Sequence, residues 1–202
     1  MQLIGMLDSP FVRRVAIELL INKIPFEHRC ISVFRQMDEF GKINPLFKAP
    51  SLICDDGEVL MESSLILDYI WNVVAPGKAL MPEGKVRQHA LRLIGIGLVA
   101  AEKAVQIEYE RKRPEALRSS SWLTRITQQL HEAFGLLEVE VAKAAPWLFG
   151  NKISQADITI AIAWTFQNFV LGDLVAKGQY PQLEAFSARA EALPEFMATP
   201  QD

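Results

Sequence analysis

The sequence predicts a small α/β domain followed by an all-α domain. In residues 1–75, short apolar strand segments surround one amphipathic helix, and a hairpin and a second helix follow. Proline and glycine then interrupt this pattern, so we interpret residues 76–82 as a linker. Strand signals disappear beyond it, and segments with helical periodicity fill the remainder of the 202 residues. The second domain is therefore expected to span 83–202.

The chain opens with a short apolar strand over residues 2–6 and then a helix start. Ser9 is a favoured N-cap, and Pro10 suits the first helical position, where its missing N–H costs nothing. Apolar residues then form one stripe of this helix. Arg13 and Arg14 lie off the stripe, and we expect both to be solvated charges on the helix face.

A second strand and a hairpin complete the predicted α/β domain. Residues 25–33 return as a strand, which requires a crossover and parallel pairing with the first strand. Residues 34–43 are mixed and polar, and predict one or two helical turns. Apolar strands at 51–54 and 59–61 flank an Asp-Asp-Gly turn, a pattern typical of a hairpin.

Helical periodicity dominates the second domain. The predicted helices are 83–113, 122–144, 154–171 and 181–192. Ser154 and Asp157 form a capping-box pattern, which is structural and needs no ligand. Residues 95–100 match the G-x-G-x-x-A spelling of a dinucleotide loop, but no strand precedes them. We expect these small residues to allow close helix packing, within the bundle or against a second subunit.

Composition excludes several functional classes. A net charge of −3 without a basic run argues against nucleic-acid binding. No segment is long and apolar enough to predict a membrane span, and the first ten residues lack the pattern of a signal peptide. Cys30 and Cys54 are expected to be separate buried thiols, as in a reducing cytoplasm. The three histidines are scattered, so no metal site is predicted.

Glu62 and Ser63 mark the most informative local feature. Ser63 is a good N-cap for the helix that follows, and free N–H groups at a helix start favour an anion. With the Glu62 carboxylate alongside, the pair could hold a group that carries both a carboxylate and an ammonium. The alternative is that Ser63 only caps the helix and Glu62 only complements its dipole.

The order of these motifs resembles the glutathione-binding half of the soluble glutathione transferases. The matching residues are N-P-x-x-K-A-P-x-L from Asn44, the hairpin, and E-S-x-x-I-x-x-Y-I from Glu62. The resemblance implies a thioredoxin-like domain plus a helical bundle, with Pro50 in the cis form. It also implies that the Ala49 backbone pairs with the cysteinyl part of glutathione, and that Glu62 and Ser63 hold its γ-glutamyl end.

Ser9 is the candidate catalytic residue, because a hydroxyl at a helix start can donate to a sulfur and stabilise the reactive thiolate. Judged without the resemblance, Ser9 is a plain N-cap. The resemblance to the serine-type classes implies that it binds the glutathione thiolate. Since this position is not Cys, glutaredoxin-like thiol exchange is disfavoured.

The resemblance also implies that Phe11, Gln36 and Lys48 contact glutathione. Gln36 occupies a place where a lysine for the glycyl carboxylate is common, so two alternatives are open: Lys48 takes that group instead, or the affinity for glutathione is low. Phe47 stands where a small or polar residue is more usual.

Gln106 and Tyr109 are candidates for a second-substrate pocket that accepts an electrophilic small molecule. The resemblance further implies a homodimer. Two alternatives to a transferase stay open: a non-catalytic binding protein like the stringent starvation proteins, and a glutathione-dependent isomerase or dehalogenase. The isomerases' S-S-C-S-type start is replaced here by Asp8-Ser9-Pro10-Phe11.

Overall fold

A computed structural model describes residues 1–201, which form two compact units. The first contains Met1–Leu80 together with the C-terminal residues from Pro194, and the second is Met81–Leu193. This division differs from the sequence-based one, which placed every residue after the linker in the second domain.

The described residues form four short strands and eight α-helices. The strands are β1 (Gln2–Ile4), β2 (Glu27–Arg29), β3 (Ser51–Ile53) and β4 (Val59–Met61). The helices are α1 (Pro10–Ile21), α2 (Met37–Ile43), α3 (Ser63–Tyr69), α4 (Val86–Lys112), α5 (Ser120–Val141), α6 (Gln155–Val170), α7 (Pro181–Glu191) and α8 (Pro194–Met197). A π-helical turn, Ile70–Val74, extends α3, and a 3₁₀ turn, Glu115–Leu117, precedes α5.

The strands of the first unit form one mixed sheet in the order β2-β1-β3-β4. Leu3 of β1 lies opposite His28 in the parallel pair and opposite Leu52 in the antiparallel pair. The predicted parallel pairing and hairpin are therefore confirmed. Leu3 joins a core made with α1 and α3, whereas its neighbour Ile4 joins Phe40 of α2. Neighbouring side chains of β1 thus supply separate apolar clusters, as strand alternation requires.

Arg13 and Arg14 are buried, each with 2% of its surface exposed, so the prediction that both are solvated was wrong. The Arg13 guanidinium donates to the carbonyls of Thr199 at 2.6 Å and Phe196 at 3.2 Å. It also lies 5.5 Å from the centre of the Phe196 ring. These contacts hold the C-terminal residues against α1 and account for their place in the first unit.

In the second unit, α4 packs on α5 and α6, and α7 packs on both of those helices. A methyl group on Gly97 of α4 would come within 3.0 Å of Thr159 Cγ2 on α6, which explains the small residue there. The predicted capping box at α6 is confirmed. The Asp157 carboxylate accepts from the Ser154 N–H at 2.8 Å, and the Ser154 hydroxyl accepts from the Asp157 N–H at 3.4 Å.

The two cysteines differ in burial. Cys54 is buried as expected, but Cys30 is exposed, so the prediction of two buried thiols was wrong. Both are free thiols. Within residues 1–201, no helix has the length and apolar character that a membrane span requires.

Candidate functional site

Six of the residues singled out in the sequence line one cleft of the first unit. They come from α1, the segment before β3 and the start of α3: Phe11, Lys48, Ala49, Pro50, Glu62 and Ser63. The fold therefore brings together side chains that lie up to 52 positions apart in the chain.

Asn44 holds the segment that leads to Ala49 and Pro50. Its side-chain oxygen accepts from the Leu46 N–H at 2.9 Å, and its amide donates to Ser51 Oγ at 2.9 Å. The Ser51 hydroxyl in turn donates to the Lys48 carbonyl at 2.7 Å. The Ala49-Pro50 peptide bond is cis, as the sequence resemblance implied. Buried hydrogen bonds thus set the shape of this wall of the cleft.

Gly5 allows the end of β1 to approach the cleft wall. Its φ of +134° is one that residues with a side chain rarely adopt. An added methyl group would lie 2.7 Å from Val12 Cγ2 and 3.2 Å from Ala49 Cβ. Because Gly5 lacks a side chain, the β1–α1 connection that carries Ser9 runs close to Ala49.

Glu62, rather than Ser63, is the N-cap of α3. Its carboxylate accepts from the Ser64 N–H at 3.1 Å, and its backbone has a φ of 71°, in the left-handed region. The Ser63 hydroxyl donates to the same carboxylate at 3.3 Å and accepts from the Arg14 guanidinium at 3.0 Å. A carboxylate and a hydroxyl backed by a cation therefore line this end of the cleft.

Ser9 is the N-cap of α1, as predicted, but its side chain makes no capping hydrogen bond. Its carbonyl accepts from the Arg13 N–H at 3.0 Å, so the helix starts on the backbone of Ser9 alone. The Ser9 hydroxyl is consequently not engaged in holding the helix end.

Models of known families match both parts of the chain. The glutathione S-transferase N-terminal domain matches residues 3–75, and the glutathione S-transferase C-terminal domain matches residues 120–189. A GST-like protein of Escherichia coli (strain K12), YibF, is 31% identical over 178 residues, which cover 84% of this chain and 83% of that protein. The chain belongs to the glutathione S-transferase family.

Other relatives and solved structures agree with this family. A probable maleylacetoacetate isomerase 1 of Drosophila melanogaster is 26% identical, with 92% of this chain and 75% of that protein covered. A glutathione S-transferase of Methylobacterium radiotolerans, solved with glutathione sulfonate, superposes with a TM-score of 0.90 at 26% identity, covering 98% of this chain and 93% of that one. A glutathione transferase family member of Pseudomonas fluorescens Pf-5 with bound glutathione gives 0.84 at 27% identity, covering 100% and 98%.

Two expected glutathione contacts, Gln36 and Lys48, differ in their position relative to the cleft. Gln36 is exposed and does not line the cleft; its side chain accepts from the Ser32 N–H at 3.1 Å and donates to Glu39 at 3.3 Å. Lys48 does line the cleft and is exposed. The arrangement thus favours Lys48 over Gln36 for a carboxylate in the cleft.

The unusual Phe47 has a local explanation. It adopts a left-handed φ of 50°, and its ring packs where a methyl group on Gly41 would be only 3.1 Å away. The glycine of α2 therefore makes room for the aromatic ring.

The predicted second-substrate residues lie on α4 of the second unit. Gln106 is part of a surface network, in which it donates to Glu102 at 2.7 Å and accepts from Lys103 at 3.2 Å. Tyr109 is 49% exposed. Their role as pocket residues stays a prediction.

Sequence reasoning missed the polar residues behind the cleft, namely Arg14, Asn44, Ser51 and Ser64. Arg14 lies off the apolar stripe of α1, which led to the prediction that it is solvated. Asn44 was noted only as the first residue of the motif N-P-x-x-K-A-P-x-L, with no role of its own side chain predicted. A polar residue inside a β-strand, such as Ser51, was the one available signal of a buried hydrogen bond at this wall.

Proposed function

We propose that this glutathione S-transferase activates glutathione for attack on electrophilic small molecules and is of the serine type. Glu62 would take the ammonium of the γ-glutamyl end, Ser63 its carboxylate, and the Ala49 backbone the cysteinyl part. Ser9 would donate a hydrogen bond to the sulfur. The thiolate then attacks an electrophilic carbon, a carbon–sulfur bond forms, and the leaving group departs with its electron pair.

The observation that carries this proposal is the shared cleft of Ala49, Pro50, Glu62 and Ser63 beside the β1–α1 connection. A carboxylate and a hydroxyl on one wall complement an ammonium and a carboxylate. The uncommitted Ser9 hydroxyl supports the role of thiolate donor, because it does not have to leave a helix cap in order to reach the sulfur.

Activation of glutathione requires only a modest lowering of the pKa of its thiol. A thiol with a pKa near 8.5 is only about 3% ionised at pH 7, and lowering that pKa by about two units makes most of it thiolate. Such a shift corresponds to about 2.7 kcal/mol. Charge-assisted hydrogen bonds contribute roughly 1.5–3 kcal/mol, so a single hydroxyl donor can supply much of it.

Titration calorimetry with glutathione, on wild type and on Ser63→Ala, tests binding. We expect Ser63→Ala to weaken binding by at least fivefold. Ser121→Ala, on the exposed face of α5, is the matched control and should bind as wild type does. Absence of binding at millimolar glutathione contradicts the proposal and favours the alternative of a non-catalytic binding protein.

A glutathione-dependent isomerase is the second candidate, because two relatives are named probable maleylacetoacetate isomerases. In that case, the thiolate would add to a conjugated cis double bond and leave again after rotation, so that glutathione is regenerated. A comparison of turnover with an aryl halide and with a cis-enone diacid separates the two. Product that contains no sulfur, with glutathione unchanged, identifies the isomerase.

We also propose a second-substrate role for Gln106 and Tyr109. A Tyr109→Ala variant should raise KM for the electrophile while leaving KM for glutathione unchanged. Unchanged kinetics for every electrophile tested would contradict this assignment.

A homodimer is the assembly we propose. In the second unit, a groove between α4 and α5 is lined by apolar residues together with charged residues of both signs. Its lining includes Gly95, Ile96, Val99 and Leu136, with Arg92, Arg125 and Glu132. Leu136 is 48% exposed, a large apolar side chain that a second copy would cover.

Sedimentation analysis tests this assembly. Leu136→Glu should shift the chain to monomer, whereas Val139→Glu, which changes an exposed residue of α5 outside the groove lining, should not. A wild-type chain that sediments as a monomer at micromolar concentration would contradict the proposal.

A further inference from the structure

Arg14 is a buried, charged residue that has no role in the mechanism proposed above. It lies on α1, with 2% of its surface exposed. Its Nη1 donates to Ser63 Oγ at 3.0 Å and to Ser64 Oγ at 3.1 Å. Its Nε is also buried and has no hydrogen-bond partner among the described residues. Burial of an incompletely bonded guanidinium is costly, so a compensating role is expected.

The charge of Arg14 persists at neutral pH. Burial lowers the pKa of Arg14 to about 10, while the nearby carboxylates of Glu62 and Glu18 act to raise it. Since this pKa lies well above 7, the guanidinium is protonated under working conditions. A fixed positive charge therefore lies in hydrogen-bond contact with the Ser63 hydroxyl, while Arg14 itself does not line the cleft.

The hydrogen bond from Arg14 restricts the direction in which the Ser63 hydroxyl can donate its proton. A hydroxyl has one proton and two acceptor positions, and Arg14 occupies one acceptor position. The Ser63 proton must then point away from the guanidinium. It points at present to Glu62 over a long contact of 3.3 Å. A carboxylate that enters the cleft offers this proton a better acceptor, and the charge of Arg14 favours an anion over a neutral group.

We propose that Arg14 is a positioning residue that makes the Glu62–Ser63 end of the cleft selective for a ligand with a carboxylate beside its ammonium. It acts through the hydroxyls of Ser63 and Ser64 and does not touch the ligand. This inference rests on the proposed function, because it assumes that the cleft binds the γ-glutamyl end of glutathione.

The selectivity can be measured with two thiol substrates. One is glutathione, and the other is γ-aminobutyryl-cysteinyl-glycine, which keeps the amine but lacks the neighbouring carboxylate. The ratio of their kcat/KM values, taken from initial slopes with an aryl halide, reports recognition of that carboxylate. We expect Arg14→Met to reduce the wild-type ratio at least fivefold, through KM for glutathione rather than kcat.

Arg13→Met is the matched control, since Arg13 has the same burial on the same helix but donates to the C-terminal carbonyls. It should lower the melting temperature and leave the ratio within twofold of wild type. Arg14→Lys serves if Arg14→Met does not fold. A lysine keeps the charge but not the planar fork, so the ratio should be intermediate.

The outcomes separate the positioning role of Arg14 from the proposed function. If wild type turns over glutathione and both Arg14 variants keep the wild-type ratio, the inference is wrong while the proposed function stands. If wild type neither binds nor turns over glutathione, the proposed function fails and the inference fails with it.

Discussion

Helices α1 and α6 both have a serine as N-cap, and the two serines are used differently. At α6, Ser154 and Asp157 form a reciprocal capping box in which side chain and backbone satisfy each other. At α1, Ser9 is the N-cap, but its side chain makes no capping bond. The third helical residue also differs: in α6 it is Asp157, whose carboxylate completes the reciprocal box, and in α1 it is the apolar, buried Val12.

The contrast shows how a site and a structural cap are distinguished. The hydroxyl of Ser154 is hydrogen-bonded to Asp157 at the start of its own helix. The Asp157 carboxylate also accepts from the Leu148 N–H at 2.8 Å. In α1, Pro10 at the first helical position removes one free donor and pre-sets the backbone, so the helix starts without help from a side chain. An N-cap hydroxyl that is not needed for capping is available for chemistry. Variants that remove each kind of serine interaction therefore sharpen the comparison.

The largest effect is expected from Asp157→Ala. This change leaves the part-buried N–H of Leu148 and the buried N–H of Ser154 without acceptors, and the loss for a buried group is about 1–3 kcal/mol. We expect a loss of about 3 kcal/mol in the free energy of unfolding by urea denaturation, with unchanged affinity for glutathione. Asp173→Ala, which removes an exposed ion pair with Arg111, is the control and should cost less than 0.5 kcal/mol. Equal losses in the two variants would contradict a structural role for the box.

Asn44→Ala should affect stability and binding together, since Asn44 is buried and also shapes the cleft wall. We expect a loss of about 2 kcal/mol in stability, because the Leu46 N–H loses its acceptor. KM for glutathione should rise at least threefold as the Ala49 segment shifts. Asn72→Ala, on the exposed surface of the same unit, should change neither quantity. A variant that unfolds earlier but keeps the wild-type KM would show that the wall does not depend on Asn44.

Ser9→Ala should reduce conjugation at least tenfold, about 1.4 kcal/mol, while stability changes by less than about 0.5 kcal/mol. The reason is that the hydroxyl stabilises the thiolate and not the helix. The pH profile tests this directly: the pKa of bound glutathione should lie about two units below 8.5 in wild type and move back toward it in the variant. Activity of the variant should consequently recover as the pH rises. An unchanged profile with a lower melting temperature would make Ser9 an ordinary cap.

The smallest effect is expected from Ser119→Ala. Ser119 is the N-cap of α5 and accepts from the Trp122 N–H at 3.3 Å at an exposed position. Its loss should cost about 1 kcal/mol in stability and leave conjugation unchanged. It is thus the structural counterpart of Ser9→Ala. A loss of activity in this variant would contradict the distinction between Ser119 as a helix cap and Ser9 as a catalytic residue.

Local chemistry in the sequence was enough for most elements of the fold. The apolar stripe of α1, the hairpin around Asp55-Asp56-Gly57 and the capping box of α6 are short-range patterns, so residues a few positions apart reveal them. Six of the candidate glutathione contacts were also named from motif order, and the fold gathers them at one cleft.

Only the tertiary structure decided what lies behind that cleft. Arg13 and Arg14 look like surface charges because their partners, the C-terminal carbonyls and the hydroxyls of Ser63 and Ser64, are distant in the chain. The capping role of Glu62 depends on a left-handed backbone conformation that the residue types in this segment do not predict. Burial of a polar group is decided by partners that fold against it, and a sequence pattern reports only its nearest neighbours.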